Sequence, residues 1–122
     1  KINLTQSELS VYWNIAHHIE GIADEVKRIV EIGKKSKIPK DVAKDLFELF
    51  CKVENDYSEA MKSYYSNDTE LAYKISKNKE ILFKECESMY QKDWNRKGVP
   101  SILERIKDMI FEIHEICRRV YS

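Results

Sequence analysis

Glycine and proline are scarce in this chain of 122 residues, with three Gly and two Pro. Few positions can therefore break regular structure, and no strand-like alternation with turn chemistry appears anywhere. No stretch approaches the roughly 20 consecutive apolar residues that a membrane helix needs, so no membrane insertion is expected. Net charge is zero, which removes the basic surplus that broad nucleic-acid binding requires. The three cysteines, Cys51, Cys86 and Cys117, are far apart and form no C-x-x-C pair. They read as reduced, buried thiols of a cytoplasmic protein rather than as a disulfide or zinc framework. There is no Glu-x-x-His, H-E-x-x-H, Gly-rich phosphate loop or G-x-S-x-G turn, and no catalytic role is expected. A carboxylate-bridged di-iron enzyme is disfavoured in particular, because such sites need Glu-x-x-His on two helices.

What the chain does have is charge and apolar residues in helical order. Charged residues make up 34% and hydrophobic ones 43%, a mix that suits one folded helical domain over residues 1–122. A first helix is expected over about 5–33. It opens on a capping box at Thr5-Gln6-Ser7-Glu8, and Tyr12, Ile15, Ile19, Ile22, Val26 and Ile29 lie along one seam in steps of three and four. Gly33 reads as its stop, with Lys34 and Lys35 at the negative end of the dipole. A second helix is expected over about 39–66, with Pro39 in its first turn and a stripe from Val42 to Tyr64.

The third helix, about 68–93, is capped by Asn67 or Asp68 and carries Leu71, Ile75, Leu82 and Met89. Asn78 and Glu85 interrupt its stripe and are placed at the edge of the core. Trp94 to Gly98 breaks the chain, and a fourth helix follows over about 100–121 with Leu103, Ile106, Ile110, Ile113, Cys117 and Val120 in register. Short connections make neighbouring helices antiparallel, so the expected fold is an all-α, up-down four-helix bundle. His18 and His114 read as partly exposed. Five lysines, Lys34, Lys35, Lys37, Lys40 and Lys44, form a basic corner at the first connection, a solvated turn or a contact for an anionic partner.

The first and last helices repeat each other at an offset of 84 residues. Glu20, Ile22, Asp24, Ile29, Glu31 and Ile32 match Glu104, Ile106, Asp108, Ile113, Glu115 and Ile116. Apolar matches come cheaply between amphipathic helices, and the acidic ones in register weigh more. Glu20 and Asp24, like Glu104 and Asp108, are one turn apart on a face turned to water. Two such carboxylates can supply oxygen ligands to a cation, and His17 lies three residues before Glu20 on the same strip. Lys27, Arg28, Arg105 and Lys107 offer ordinary surface pairing instead. The chain starts at Lys1 and is read as a fragment of a longer protein: the last three helices as one repeated unit, the first as the last helix of a preceding unit.

The segments Tyr12 to Asp24 and Leu103-Glu104-Arg105-Ile106-Lys107-Asp108 resemble the signature of PhoU-type proteins, and Asp68-Thr69-Glu70-Leu71-Ala72 is similar to the start of that family's middle helix. The resemblance covers nearly the whole chain. It implies paired three-helix units and a regulator that restrains phosphate uptake and its signalling. The partners it implies are the phosphate transporter's ATPase and a sensor kinase. It also implies surface iron or zinc on the Glu-x-x-x-Asp pairs, which here are Glu20, Asp24, Glu104 and Asp108. The opening Leu4 to Glu8 is similar to archaeal members, which often carry an AbrB-like DNA-binding domain upstream; this domain itself is expected to touch no nucleic acid. The chain departs from the family at Gly21, Glu25, Asn78 and Met109, which weakens the metal implication. A plain helical dimerisation module also fits the spacing, and a homodimer is expected.

Overall fold

A computed structural model describes residues 5–121. It is an all-α bundle of α1 (Gln6–Lys35), α2 (Lys40–Ser66), α3 (Thr69–Ser76), α4 (Asn78–Asp93) and α5 (Val99–Tyr121). No strand occurs among the described residues, and no helix there is long and apolar enough to cross a membrane.

The capping box expected at the start of α1 is formed. The Glu8 N–H donates to the Thr5 hydroxyl at 3.1 Å, and the Thr5 N–H donates to the Glu8 carboxylate at 3.0 Å. Gly33 does not stop α1. The helix runs through it to Lys35, and Ser36 turns the chain in an extended conformation (φ −111°, ψ 140°). Pro39 lies outside α2 as its N-cap rather than in its first turn; the extended geometry favoured before a proline holds the connection open. Asn67 closes α2 in the left-handed region (φ 52°). Asp68 then caps α3, its carboxylate accepting from the Leu71 N–H at 3.0 Å.

The single helix expected over 68–93 is two. Ser76 sends its hydroxyl back to the Tyr73 carbonyl at 2.9 Å, the same local bond that Ser63 makes inside the unbroken α2. Lys77 stays right-handed (φ −70°, ψ −19°), so α4 continues in much the same direction after one slack turn. Gly98 (φ +87°) ends the α4–α5 connection, where a Cβ would run into the side chain of Ser36. Both its conformation and its neighbour require glycine.

α5 is the hub. It lies against all four other helices, α2 also lies against α3 and α4, and α1 reaches α5 alone. Directions follow from the pairs that cross between helices. His18 and Glu25 of α1 meet Glu112 and Arg105 of α5, so these two helices are antiparallel. Lys52 and Asp45 of α2 meet Glu85 and Lys92 of α4, so this pair is antiparallel too. Glu87 of α4 meets Lys107 of α5. The result is a three-helix bundle of α2, α3–α4 and α5, with α1 laid along the outside of α5.

The core runs through Leu46, Leu49, Val53, Ile75, Leu82, Ile106, Ile110, Ile113 and Ile116. Tyr12, expected on the α1 seam, is instead exposed. Asn78 and Glu85 lie at the core edge, where the sequence places them: Asn78 donates to Asp56 at 3.2 Å, and Lys52 donates to Glu85 at 2.7 Å. Asp56, the partner of Asn78, is buried, although its place on a charged helix gives no sign of it.

Cys51, Cys86 and Cys117 are all free thiols. Burial pushes Cys86 up to about 11 and Cys117 up to about 12, so neither supplies thiolate near neutral pH. Half-buried Cys51 is expected to react alone with a thiol reagent in the folded protein, all three reacting in denaturant. Mass spectrometry of the labelled chain checks this, and fast labelling of Cys117 would contradict the packing of α5.

Candidate functional site

The repeat seen in the sequence becomes a helix pair, because α1 and α5 pack on each other. The same register positions are buried on both: Ile15, His18, Ile22 and Glu25 on α1, and their counterparts Val99, Ile102, Ile106 and Met109 on α5. The repeated acids Glu20, Asp24, Glu104 and Asp108 all face water, as does His17. Asp108 has the Arg105 guanidinium at 4.0 Å, an ordinary surface pairing.

The five expected ligands are not gathered into a cluster. Among the described residues, no three His, Cys, Asp or Glu side chains converge to hold an ion. A site needs several donors at about 2.0–2.6 Å from one point, and carboxylates spread along an exposed flank do not provide it.

What the α1–α5 seam brings together is different. His18, expected to be partly exposed, is buried at 9% exposure. Its Nδ1 lies 3.0 Å from the Glu112 carboxylate, a group that helical spacing alone would leave on a surface strip. Beneath that carboxylate is Gly21, where a Cβ would come 2.8 Å from Glu112 Oε2. One turn further along, Glu25 is buried at 7% exposure. Its Oε1 faces Arg105 at 3.5 Å and Arg28 at 3.7 Å. The other oxygen, Oε2, is buried without a hydrogen-bond partner, and so is Arg105 Nε. Burial is the main cause that raises the Glu25 carboxyl above its usual range; the nearby Asp108 adds to it, and Arg105 and Arg28 oppose it.

Sequence reasoning misses Glu25 because a glutamate on a charged helix reads as surface. The signal is in the repeat: its counterpart is Met109, an apolar residue exposed by only 2%. Likewise Gly21 is the counterpart of Arg105, so the repeat is matched in position and broken in chemistry where the two helices touch.

Gly21→Ala makes a sharp test of this seam. Alanine favours a helix interior by up to about 1 kcal/mol over glycine. The atom it would meet is the end of a flexible side chain, so Glu112 swings away. The expected result is unchanged or slightly raised stability in urea, together with a broken His18–Glu112 pair, which NMR reads as a shift of the His18 ring signals. A destabilisation above about 1 kcal/mol would mean that the backbones, not the carboxylate, fill that space.

Fold and site together define an all-α helical bundle whose first helix is covered on one side only. Comparison of the chain with family models, curated proteins and solved structures finds no match.

Proposed function

We propose that the protein regulates phosphate uptake and phosphate signalling, as its resemblance to PhoU-type proteins implies, and that it does so by protein contact, without catalysis. The observation that carries this reading is the pairing of the repeated helices. Glu20 and Asp24 on α1 and Glu104 and Asp108 on α5 hold the same register and all face water. The apolar positions between them close on one another, as a duplicated helical unit would have it. A flank of fixed, solvated carboxylates is suited to recognising a basic partner surface, where charge complementarity sets specificity and association rate.

Deletion of the gene is expected to release phosphate uptake from restraint in phosphate-rich medium, measured as the uptake rate of labelled phosphate. Restoration by the wild-type chain, and failure of a variant with all four acids changed to their amides, would place the effect on this flank. Uptake unchanged by the deletion would overturn the regulatory reading.

A further inference from the structure

We infer that the cleft between α2 and α4 binds the primary ammonium group of an aliphatic amine, with Asp56 as its counterion. This goes beyond the regulatory reading and does not rest on it.

The cleft follows from how α4 runs beside α2. The two helices are antiparallel, so Asp56 meets Asn78 at one end and Lys52 meets Glu85 at the other. Between those ends the helices stand apart around a cleft of about 550 Å³, a size that suits a small ligand. Leu82 lines it from the core, and Ile81, 60% exposed, stands at its rim. Asn55 lines it next to Asp56.

Asp56 is the unusual group. It is 8% exposed, and a carboxylate so buried is ordinarily paired with a cation. Here its Oδ1 accepts from the neutral amide of Asn78 at 3.2 Å. No cation lies within ion-pair distance of it among the described residues. The two lysines that border it are engaged elsewhere. Lys52 is held 2.7 Å from Glu85, and the Lys79 ammonium lies 5.5 Å from the ring centres of Phe83 and Phe111. On the inner side, a void of about 10 Å³ between Asp56, Lys79 and His114 has room for one water and no more. A neutralising ligand therefore enters from the cleft. Burial raises the Asp56 carboxyl above its usual range; the Asn78 hydrogen bond opposes this and the nearby Glu59 adds to it. A cation in the cleft relieves that penalty.

The acceptors at this end select the kind of cation. Asn78 gives its N–H to Asp56 and keeps its carbonyl oxygen as an acceptor, and Asn55 brings a second side-chain carbonyl. With the carboxylate they offer a set of oxygens to the three N–H donors of a primary ammonium. Calcium and magnesium need about six or more oxygens around one point, and among the described residues no three His, Cys, Asp or Glu side chains converge. Leu82 and Ile81 supply apolar contact for an alkyl chain, which a hydrated inorganic ion does not use.

The test is an NMR titration of the whole 122-residue chain with n-butylamine hydrochloride near neutral pH. Saturable shifts are expected at Asn55, Asp56, Leu82 and the Asn78 side-chain amide. n-Butanol keeps the chain and lacks the charge; tetramethylammonium keeps the charge and lacks the N–H donors. Each is expected to bind at least about tenfold more weakly. Asp56→Asn, of the same shape, is expected to weaken butylamine binding at least about tenfold, and Ile81→Ser about threefold. Ile81 is exposed, and far-UV circular dichroism shows whether each variant keeps its helices. Lys79→Met is expected to leave the affinity unchanged. Nα-acetyl-lysine methylamide carries the same ammonium as a protein side chain. If it binds as tightly as butylamine, the source is a lysine presented by a partner; if it binds more weakly, the source is a free amine, and either result supports the ammonium site.

Shifts that rise linearly with butylamine to about 50 mM, equal binding of n-butanol, or full affinity in Asp56→Asn would overturn the assignment. So would a marked gain of affinity in Lys79→Met, which would mean that Lys79 already neutralises Asp56 in solution. Equal shifts with sodium chloride at matched ionic strength would mean an adventitious ion only, and would overturn it too. Phosphate uptake plays no part in this titration, so failure here is told apart from failure of the regulatory reading.

Discussion

Replacing Ile106 by alanine is expected to cost about 3 to 4 kcal/mol of stability, among the largest losses available to a single substitution in this protein. Ile106 is 1% exposed and belongs to the one helix that every other helix touches. It lies between α1 and α2, with Val26 and Ile29 on one side and Leu46 and Phe50 on the other. Truncation opens a void that both walls would have to move to fill. Domains of this size carry about 5 to 15 kcal/mol in total, so urea unfolding followed by circular dichroism should show a much lower midpoint. A loss under about 1 kcal/mol would mean that the opening between α1 and α2 closes over the gap and that α1 is not fixed on α5. Ile22→Ala, at the matching position of α1, is expected to act more locally. Hydrogen exchange should then rise along α1 before it rises in α2, α4 and α5, because α1 is anchored to one neighbour only.

Why the sequence is legible in some places and opaque in others follows from the same asymmetry. The α5 stripe of Leu103, Ile106, Ile110 and Ile113 marks a helix covered on several sides, and burial there matches the pattern closely. Thr5 with Glu8, and Asp68 before α3, are readable because a cap needs only side chains within three residues of each other. Gly33 misleads because a glycine signals a stop only when the backbone turns left-handed, and nothing beyond α1 forces that turn. The slack turn at Lys77 is hidden because each residue around it tolerates a helix, and the Ser76 hydroxyl bond does not mark it, since Ser63 makes the same bond inside the unbroken α2.

The expected site differs. Glu20, Asp24, Glu104 and Asp108 do face water, as their place off the seam requires. Their convergence on an ion is a three-dimensional matter that spacing along one helix does not decide. Tyr12 belongs to the apolar seam by periodicity, but it lies on the side of α1 left open toward Tyr64 and Tyr65 of α2 and is exposed there. Glu25 and His18 are invisible for the opposite reason. Their burial is imposed by a helix about 90 residues away in sequence, and single-helix patterning carries no information about it.

The buried Glu25 gives the second large effect, and its sign depends on pH. Arg105→Met is expected to cost about 2 kcal/mol near neutral pH, because it leaves the Glu25 carboxylate buried between α1 and α5 with only the exposed Arg28 near it. The charged and titratable groups facing Glu25 are Arg28 on its own helix and Arg105 and Asp108 on α5. Its carboxyl is raised above the ordinary value of 4.5, so the folded protein holds this proton more tightly than the unfolded chain does. That linkage favours folding fully below about pH 4.5 and is lost as pH rises through the raised native value. Arg105 limits the loss by drawing the carboxyl back down. Without Arg105 the penalty should be large near pH 7 and should shrink steadily toward about pH 4, as Glu25 takes up its proton.

Glu25→Met puts at this position the residue that the repeat carries at Met109. It removes both the buried charge and the unpartnered oxygen, leaving Arg105 with Asp108 and solvent. Because the Arg105 side chain is 32% exposed, the single variant is expected to cost less at neutral pH than Arg105→Met, and the double variant, which replaces the whole pair by apolar residues, is the one expected to gain about 1 kcal/mol. Asp56 is raised by burial as well, but it is common to all the variants and cancels in the differences between them. Urea midpoints of wild type, Arg105→Met, Glu25→Met and the double variant, each taken across that pH range, separate the two effects. A penalty for Arg105→Met that stays constant with pH would show that its alkyl stem, and not its charge, holds α1 in place.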